Sequence, residues 1–81
     1  MDRFELVKKL ELLEVNPQEY SLNGELLYDN IILYQSYHKW EVFYLDERGG
    51  RNDLRVFESE DEACKHIFHL FKASKAIEKN T

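Results

Sequence analysis

The sequence has little cysteine, proline or glycine: one Cys, one Pro and three Gly among 81 residues. Collagen-like and low-complexity chains need far more glycine and proline, and disordered chains carry fewer aromatic residues than the 14% found here. No apolar run approaches the ~18 residues of a membrane span, and the first residues lack the continuous apolar segment of a signal peptide. A lone cysteine cannot close an intramolecular disulfide, which is typical of a reducing compartment. We therefore expect a globular cytoplasmic protein with no membrane contact.

The sequence also lacks a basic excess, since 16 acidic residues against 11 basic ones give a net charge of −5. Direct binding to nucleic acid needs a basic surface, so it is not expected here. The acidic charge suits a basic protein partner. It is equally ordinary for a soluble domain without such a partner.

Helical periodicity is present at both ends of the chain. The first helix is predicted over residues 2–15, with Asp2 as N-cap, a stripe of leucines at helical spacing, and Asn16-Pro17 as its end. The second helix begins after Ser59, because S-x-x-E is a capping box and three acids follow at the positive end of the helix dipole. Residues 75–81 are predicted to be frayed. The predicted buried face of the second helix consists of Ala63, Ile67, Leu70 and Phe71, flanked by Cys64 and Phe68.

The sequence pattern predicts strands in the middle of the chain. Asn23-Gly24 between residues 20–22 and 25–27 predicts a hairpin, because both turn positions accept a positive φ. Further strands are predicted at 31–37, 40–45 and 54–57, with a polar loop over 46–53. The chain is thus predicted to be one α+β domain over residues 1–81, in the order α-β-β-β(-β)-α. Its three to four strands form an antiparallel meander, and both helices cover one face.

Motifs for catalysis, metal binding or phosphate binding are missing. Gly49-Gly50 lies between strands rather than before a helix, which favours a loop over an anion site. His66 and His69 have a spacing that can share a metal, but Cys64 points to the apolar face and His69 away from it. The acids of residues 60–62 already have a role at the helix start. We expect no enzyme, no metal and no cofactor.

The central strands place aromatic residues on both faces of the sheet, although two helices can cover only one. Some of these aromatics are therefore expected to be exposed beside acids, either as an interface or as a core edge with polar tips in water. If they form an interface, its predicted residues are Trp40, Tyr44, Asp46, Glu47, Asp53 and Glu58.

The segment from Trp40 to Tyr44, a glycine-containing loop, the run Leu54–Cys64 and an apolar helix together resemble a known group of proteins. These are the small bacterial immunity proteins of polymorphic and contact-dependent growth-inhibition toxin systems. The likeness covers residues 31–73 and rests on loose motifs, with no catalytic residues to transfer.

This resemblance implies a cytoplasmic inhibitor without catalytic activity. Such a protein binds a cognate toxin, often a basic nuclease domain, and occludes its active site or substrate surface. The alternative is another small acidic interaction module, such as a regulatory subunit or a phage-encoded inhibitor of a host enzyme. In either case we expect a monomer.

Overall fold

The computed structural model describes residues 1–79, which fold into two helices and one four-stranded sheet. The α+β class and the α-β-β-β-β-α order are confirmed. A short 3-10 helix, Pro17–Glu19, lies between the first helix and the first strand. The other elements are α1 (Arg3–Leu12), β1 (Tyr20–Ser21), β2 (Asn30–Ser36), β3 (Lys39–Leu45), β4 (Arg51–Phe57) and α2 (Glu60–Lys79).

Both helices begin where the sequence predicts. Asp2 accepts a hydrogen bond from the backbone N–H of Glu5 at 2.8 Å, and Ser59 Oγ accepts one from Glu62 at 3.2 Å. Such caps satisfy amides that have no partner within the helix. α1 ends three residues earlier than expected, because Glu14 takes a left-handed φ of 61° before Pro17. α2 continues to Lys79, past the predicted start of fraying, and residues 80–81 lie outside the described residues.

The sheet order is β1-β2-β3-β4. β2, β3 and β4 form the predicted antiparallel meander. The pairing aligns Ile31 with Tyr44 and Leu33 with Val42, so these four side chains share one face. Between Val42 and Tyr44 the register with β4 shifts by a bulge, at which Asp53 has a φ of 53°.

The expected hairpin at Asn23-Gly24 is wrong, and the sheet is mixed rather than purely antiparallel. β1 pairs in parallel with Ile31 and Ile32 of β2, and residues 25–27 form no strand. Gly24 does take the positive φ of a turn, 82°. However, Ser21 Oγ donates a hydrogen bond to the carbonyl of Glu25 at 2.7 Å. A side chain, rather than a neighbouring strand, therefore supplies the partner of this backbone carbonyl after the turn.

The main core lies between the helices and one face of the sheet, as predicted. Leu6 and Leu10 of α1 meet Ile67 of α2 over Leu33 and Val42 of the sheet, all 0–1% exposed. Leu70, predicted to be buried, is 40% exposed instead. The next residue, Phe71, packs against the main core instead, with its ring centroid 6.1 Å from that of Tyr20.

The opposite face of the sheet is not open, contrary to the expectation that two helices would leave it uncovered. Ile32, Phe43 and Leu45 form a second, smaller buried cluster there, and Tyr34 packs against it. The guanidinium of Arg51 lies 4.6 Å from the ring centroid of Phe43. The aromatic side chains that are largely exposed are Tyr37 in the β2–β3 turn (94%), Phe4 of α1 (78%) and Tyr28 before β2 (64%).

Within residues 1–79, no helix combines the length and the apolar character needed to cross a bilayer.

Candidate functional site

Tyr44 lies at the centre of the candidate site. It is near the end of β3, on the face that the helices partly cover, and its side chain is half-buried. Its hydroxyl donates a hydrogen bond to Asp29 Oδ1 at 3.1 Å. Asp29 directly precedes β2, and its backbone N–H donates to the carbonyl of Leu45, so strand pairing brings the two side chains together.

Carboxylates dominate the surroundings of the Tyr44 hydroxyl. The hydrogen bond to Asp29 raises the pKa of Tyr44 most, followed by burial and by the negative charges of Asp29, Asp46 and Glu47. We call the surface formed by Tyr44, Asp29, Asp46, Glu47 and Asp53 the Tyr44 face. Its chemistry is an aromatic ring with a bound hydroxyl, surrounded by negative charge.

Asp46 also has a structural role that its position in a polar loop did not predict. Its carboxylate accepts hydrogen bonds from the backbone N–H groups of Arg48 and Gly50 at 2.9 and 2.7 Å, and from Asn52 Nδ2 at 3.0 Å. The bond from Asn52 lowers the pKa of Asp46 most, followed by that from Gly50. This network closes the β3–β4 turn in five residues, so β4 begins at Arg51 rather than at the predicted Leu54.

A cleft of about 730 Å³ opens beside Tyr44, between the second half of α2 and the sheet. α1 and the first half of α2 cover the sheet elsewhere, which leaves this part of the β3–β4 surface uncovered. His66, Leu70 and Ser74 lie one turn apart along α2 and form one wall of the cleft. The lining includes Glu19, Asp29, Ile31, Val42, Tyr44, Asp53, Arg55, His66, Leu70, Phe71 and Ser74.

The structure brings together four of the six predicted partner-binding residues. Tyr44 and Asp53 line the cleft, and Asp46 and Glu47 lie in the adjoining turn. As predicted, the loop after Asp46 and Asp53 occupy the same end of the sheet. Asp53 and Glu47 are exposed.

The other two predicted residues lie at the opposite end of the sheet. Trp40 is half-buried against the main core, and the guanidinium of Arg3 lies 5.9 Å from its ring centroid. Glu58 forms an ion pair with Lys39 at the start of β3. Neither residue adjoins Tyr44, because four residues along a strand span about 13 Å.

Asp29 and Glu19 belong to the site and were missed by the sequence analysis. In the sequence, Asp29 falls in the break between two predicted strands, and Glu19 directly precedes the predicted hairpin. The position of Asp29 follows from the register of β2 with β3, which aligns Asn30 with Leu45, and no sequence motif signals that register. No local pattern pointed to Glu19, which reaches the cleft through the 3-10 helix.

The histidines and the cysteine form no such site. Cys64 is fully buried in the main core, and burial raises the pKa of its thiol to about 11. The ring of His66 packs against Phe57 with centroids 5.2 Å apart, and burial first, then the charge of Arg55, lowers its pKa. Among residues 1–79, no group of three or more His, Cys, Asp or Glu side chains is placed to hold a metal ion.

Comparison of this chain with protein-family models, with curated proteins and with solved structures gives no match.

Proposed function

We propose that this protein is a cytoplasmic immunity protein that binds and neutralises a basic bacterial toxin domain, for which a nuclease is the best candidate. The observation that carries the proposal is the Tyr44 face, where the hydroxyl of the half-buried Tyr44 donates a hydrogen bond to Asp29 among further carboxylates. The resemblance of residues 31–73 to immunity proteins points the same way.

Charge complementarity supports a basic partner. A nuclease domain carries a cationic surface for the phosphates of its substrate. Asp29, Glu47 and Asp53 present carboxylates on one side of an acidic protein of net charge −5. Such a surface attracts a cationic domain over a distance and competes with nucleic acid for the same contacts.

Tyr44 supports a stable complex rather than a transient encounter. Tyrosine is enriched among the residues that dominate binding energy, because it contributes a large apolar ring and a polar tip at low entropic cost. The hydrogen bond to Asp29 fixes the ring before a partner arrives, so less conformational freedom is lost on binding. The protein inhibits by occlusion and needs no chemistry of its own.

The test is co-expression of this chain with the C-terminal domain of the protein encoded directly upstream of its gene. We expect wild-type protein to restore growth and Glu47→Lys to restore it poorly, while Glu11→Lys on the exposed side of α1 restores it fully. Toxicity that persists with wild-type protein would contradict the proposal. Binding to a host enzyme instead would favour the small acidic interaction module.

A further inference from the structure

The cleft beside Tyr44 has apolar walls and acidic groups at its mouth. Ile31 and Phe71 are partly exposed and Leu70 is 40% exposed within it, so apolar surface is available to a ligand. Glu19, Asp29 and Asp53 also line the cleft. A ligand that enters therefore meets both apolar surface and negative charge.

All three of these carboxylates have free hydrogen-bonding capacity. Asp29 uses Oδ1 to accept from Tyr44, while its Oδ2 has no partner among residues 1–79. The side chain of Asp53 forms no hydrogen bond or ion pair within the same part of the chain. Glu19 likewise uses one oxygen, because its Oε2 accepts from the N–H of Asn16 at 3.2 Å while its Oε1 has no partner in the described part of the chain. Asp29 bonds to Tyr44, and Asp53 follows Asn52, the strand partner of Tyr44, so these two acceptors lie beside Tyr44.

Cationic groups in the lining do not cancel this charge. Arg55 carries the one guanidinium among the lining residues, against three carboxylates. It lies farther along β4 than Asp53, where it neighbours His66. Burial first, and then the charge of Arg55, lower the pKa of His66, so its imidazole carries less positive charge near neutral pH than an exposed one does. Among the lining residues, the carboxylates of Asp29 and Asp53 therefore lie beside Tyr44, and the positive charge of Arg55 on β4 lies beside His66.

We propose that this cleft receives a long cationic side chain, arginine or lysine, from the bound toxin. The inference rests on the proposed function and names the chemistry of the group that enters. The methylene stem lies along Ile31, Leu70 and Phe71, while the cationic end reaches Asp29 and Asp53. Charge-assisted hydrogen bonds to two carboxylates suit such a group better than a neutral or acidic one.

The probe is N-acetyl-arginine amide, titrated into isotopically labelled protein and followed by NMR. N-acetyl-citrulline amide, which has nearly the same shape without the charge, is its matched control. We expect the arginine probe to shift signals of Tyr44, Asp29, Leu70 and Phe71, and to bind about tenfold more tightly than citrulline, as one charge-assisted contact allows. Equal binding of both probes would overturn the inference, as would shifts spread over all acidic surfaces.

Two substitutions locate the effect. Asp29→Asn keeps the acceptor for Tyr44 and the left-handed backbone that asparagine tolerates, so it removes only the charge. We expect it to weaken the arginine probe several-fold, and Arg55→Gln to strengthen it. Glu11→Gln, outside the cleft, should change nothing. If Asp29→Asn binds the arginine probe as tightly as Glu11→Gln does, the cationic end does not lie at Asp29 and the inference fails.

The failures of the two proposals are distinguishable. If wild-type protein neutralises the toxin but the cleft shows no preference for the arginine probe, the inhibitor function stands and the cleft inference is wrong. If the probe binds as expected but the toxin is not neutralised, the cleft is a cation site and the proposed function is wrong.

Discussion

Tyr44 and Asp29 are fifteen residues apart in the chain, yet the tyrosine hydroxyl donates a 3.1 Å hydrogen bond to the aspartate. The contact depends on the pairing of β2 with β3 and on the irregular segment that returns from β1. It also fixes the ring of Tyr44 at the mouth of the cleft. The bond therefore links the irregular segment between β1 and β2 to the Tyr44 face.

The main core depends on Ile67. Ile67→Ala should lower the free energy of unfolding by about 2–5 kcal/mol, because a fully buried side chain leaves a cavity. Phe68→Ala should cost less than Ile67→Ala, since the ring of Phe68 is half-exposed between Lys9 and Lys72. Leu70→Ala is the matched control and should cost least. Chemical denaturation measures the free energy of unfolding of all three variants. Equal losses for the three would show that the core contacts another face of α2.

The thiol of Cys64 should be inert in the folded protein. It is fully buried and its pKa is raised to about 11, so almost no reactive thiolate is present at neutral pH. Modification by a thiol reagent should be slow in buffer and fast in denaturant. Cys64→Ser should lower stability by about 1–3 kcal/mol without affecting toxin binding, because a hydroxyl is buried in its place. Rapid labelling of the folded protein would contradict this arrangement.

The β3–β4 turn should depend on Asp46 but not on its neighbour Glu47. Asp46→Ala removes the acceptor of three hydrogen bonds and should lower the melting temperature. Since these bonds lower the pKa of Asp46, their contribution is present above the unfolded-state pKa and is lost as pH falls through the folded one. The variant should therefore show a weaker acid dependence of stability than wild type. Equal melting temperatures for wild type and Asp46→Ala would show that the network contributes nothing.

His66 should make stability depend on pH in the mildly acidic range. Its pKa is lower in the folded protein than the ~6.5 of an unfolded chain, so the unfolded state takes up its proton first. Stability should fall as pH drops from above ~6.5 towards the folded pKa. His66→Gln should remove this slope, while His38→Gln in the exposed β2–β3 turn should keep it. Parallel slopes for wild type and His66→Gln would contradict the burial of the imidazole.

Local signals predicted the parts of the fold that local physics determines. Asp2 and Ser59 cap their helices as expected, since a cap needs only neighbouring residues. The meander of β2, β3 and β4 follows from short turns and alternating residues. The parallel pairing of β1 could not be predicted in this way, because Asn23-Gly24 gives a hairpin signal that tertiary packing overrides.

The candidate site was predicted in part for the same reason. Alternation along β3 predicted that Tyr44 and Asp46 lie on one face of the sheet, and in the structure the charge of Asp46 acts on the Tyr44 hydroxyl. Trp40 and Glu58 were included because the sequence shows which face a residue occupies but not which end the helices cover. Asp29 was missed because its position depends on register between strands rather than on any motif.

The most direct test of the central claim is an association rate, measured for the proposed toxin domain, the C-terminal domain encoded directly upstream. It is measured with wild-type protein and with Glu47→Lys, at about 0.02 M and about 0.5 M salt. A basic partner steered to the Tyr44 face should bind wild type about tenfold faster at low salt than Glu47→Lys does. This difference should nearly vanish at high salt, and Glu11→Lys should behave like wild type at both concentrations. Equal rates for wild type and Glu47→Lys at low salt would contradict the claim that the Tyr44 face binds the toxin.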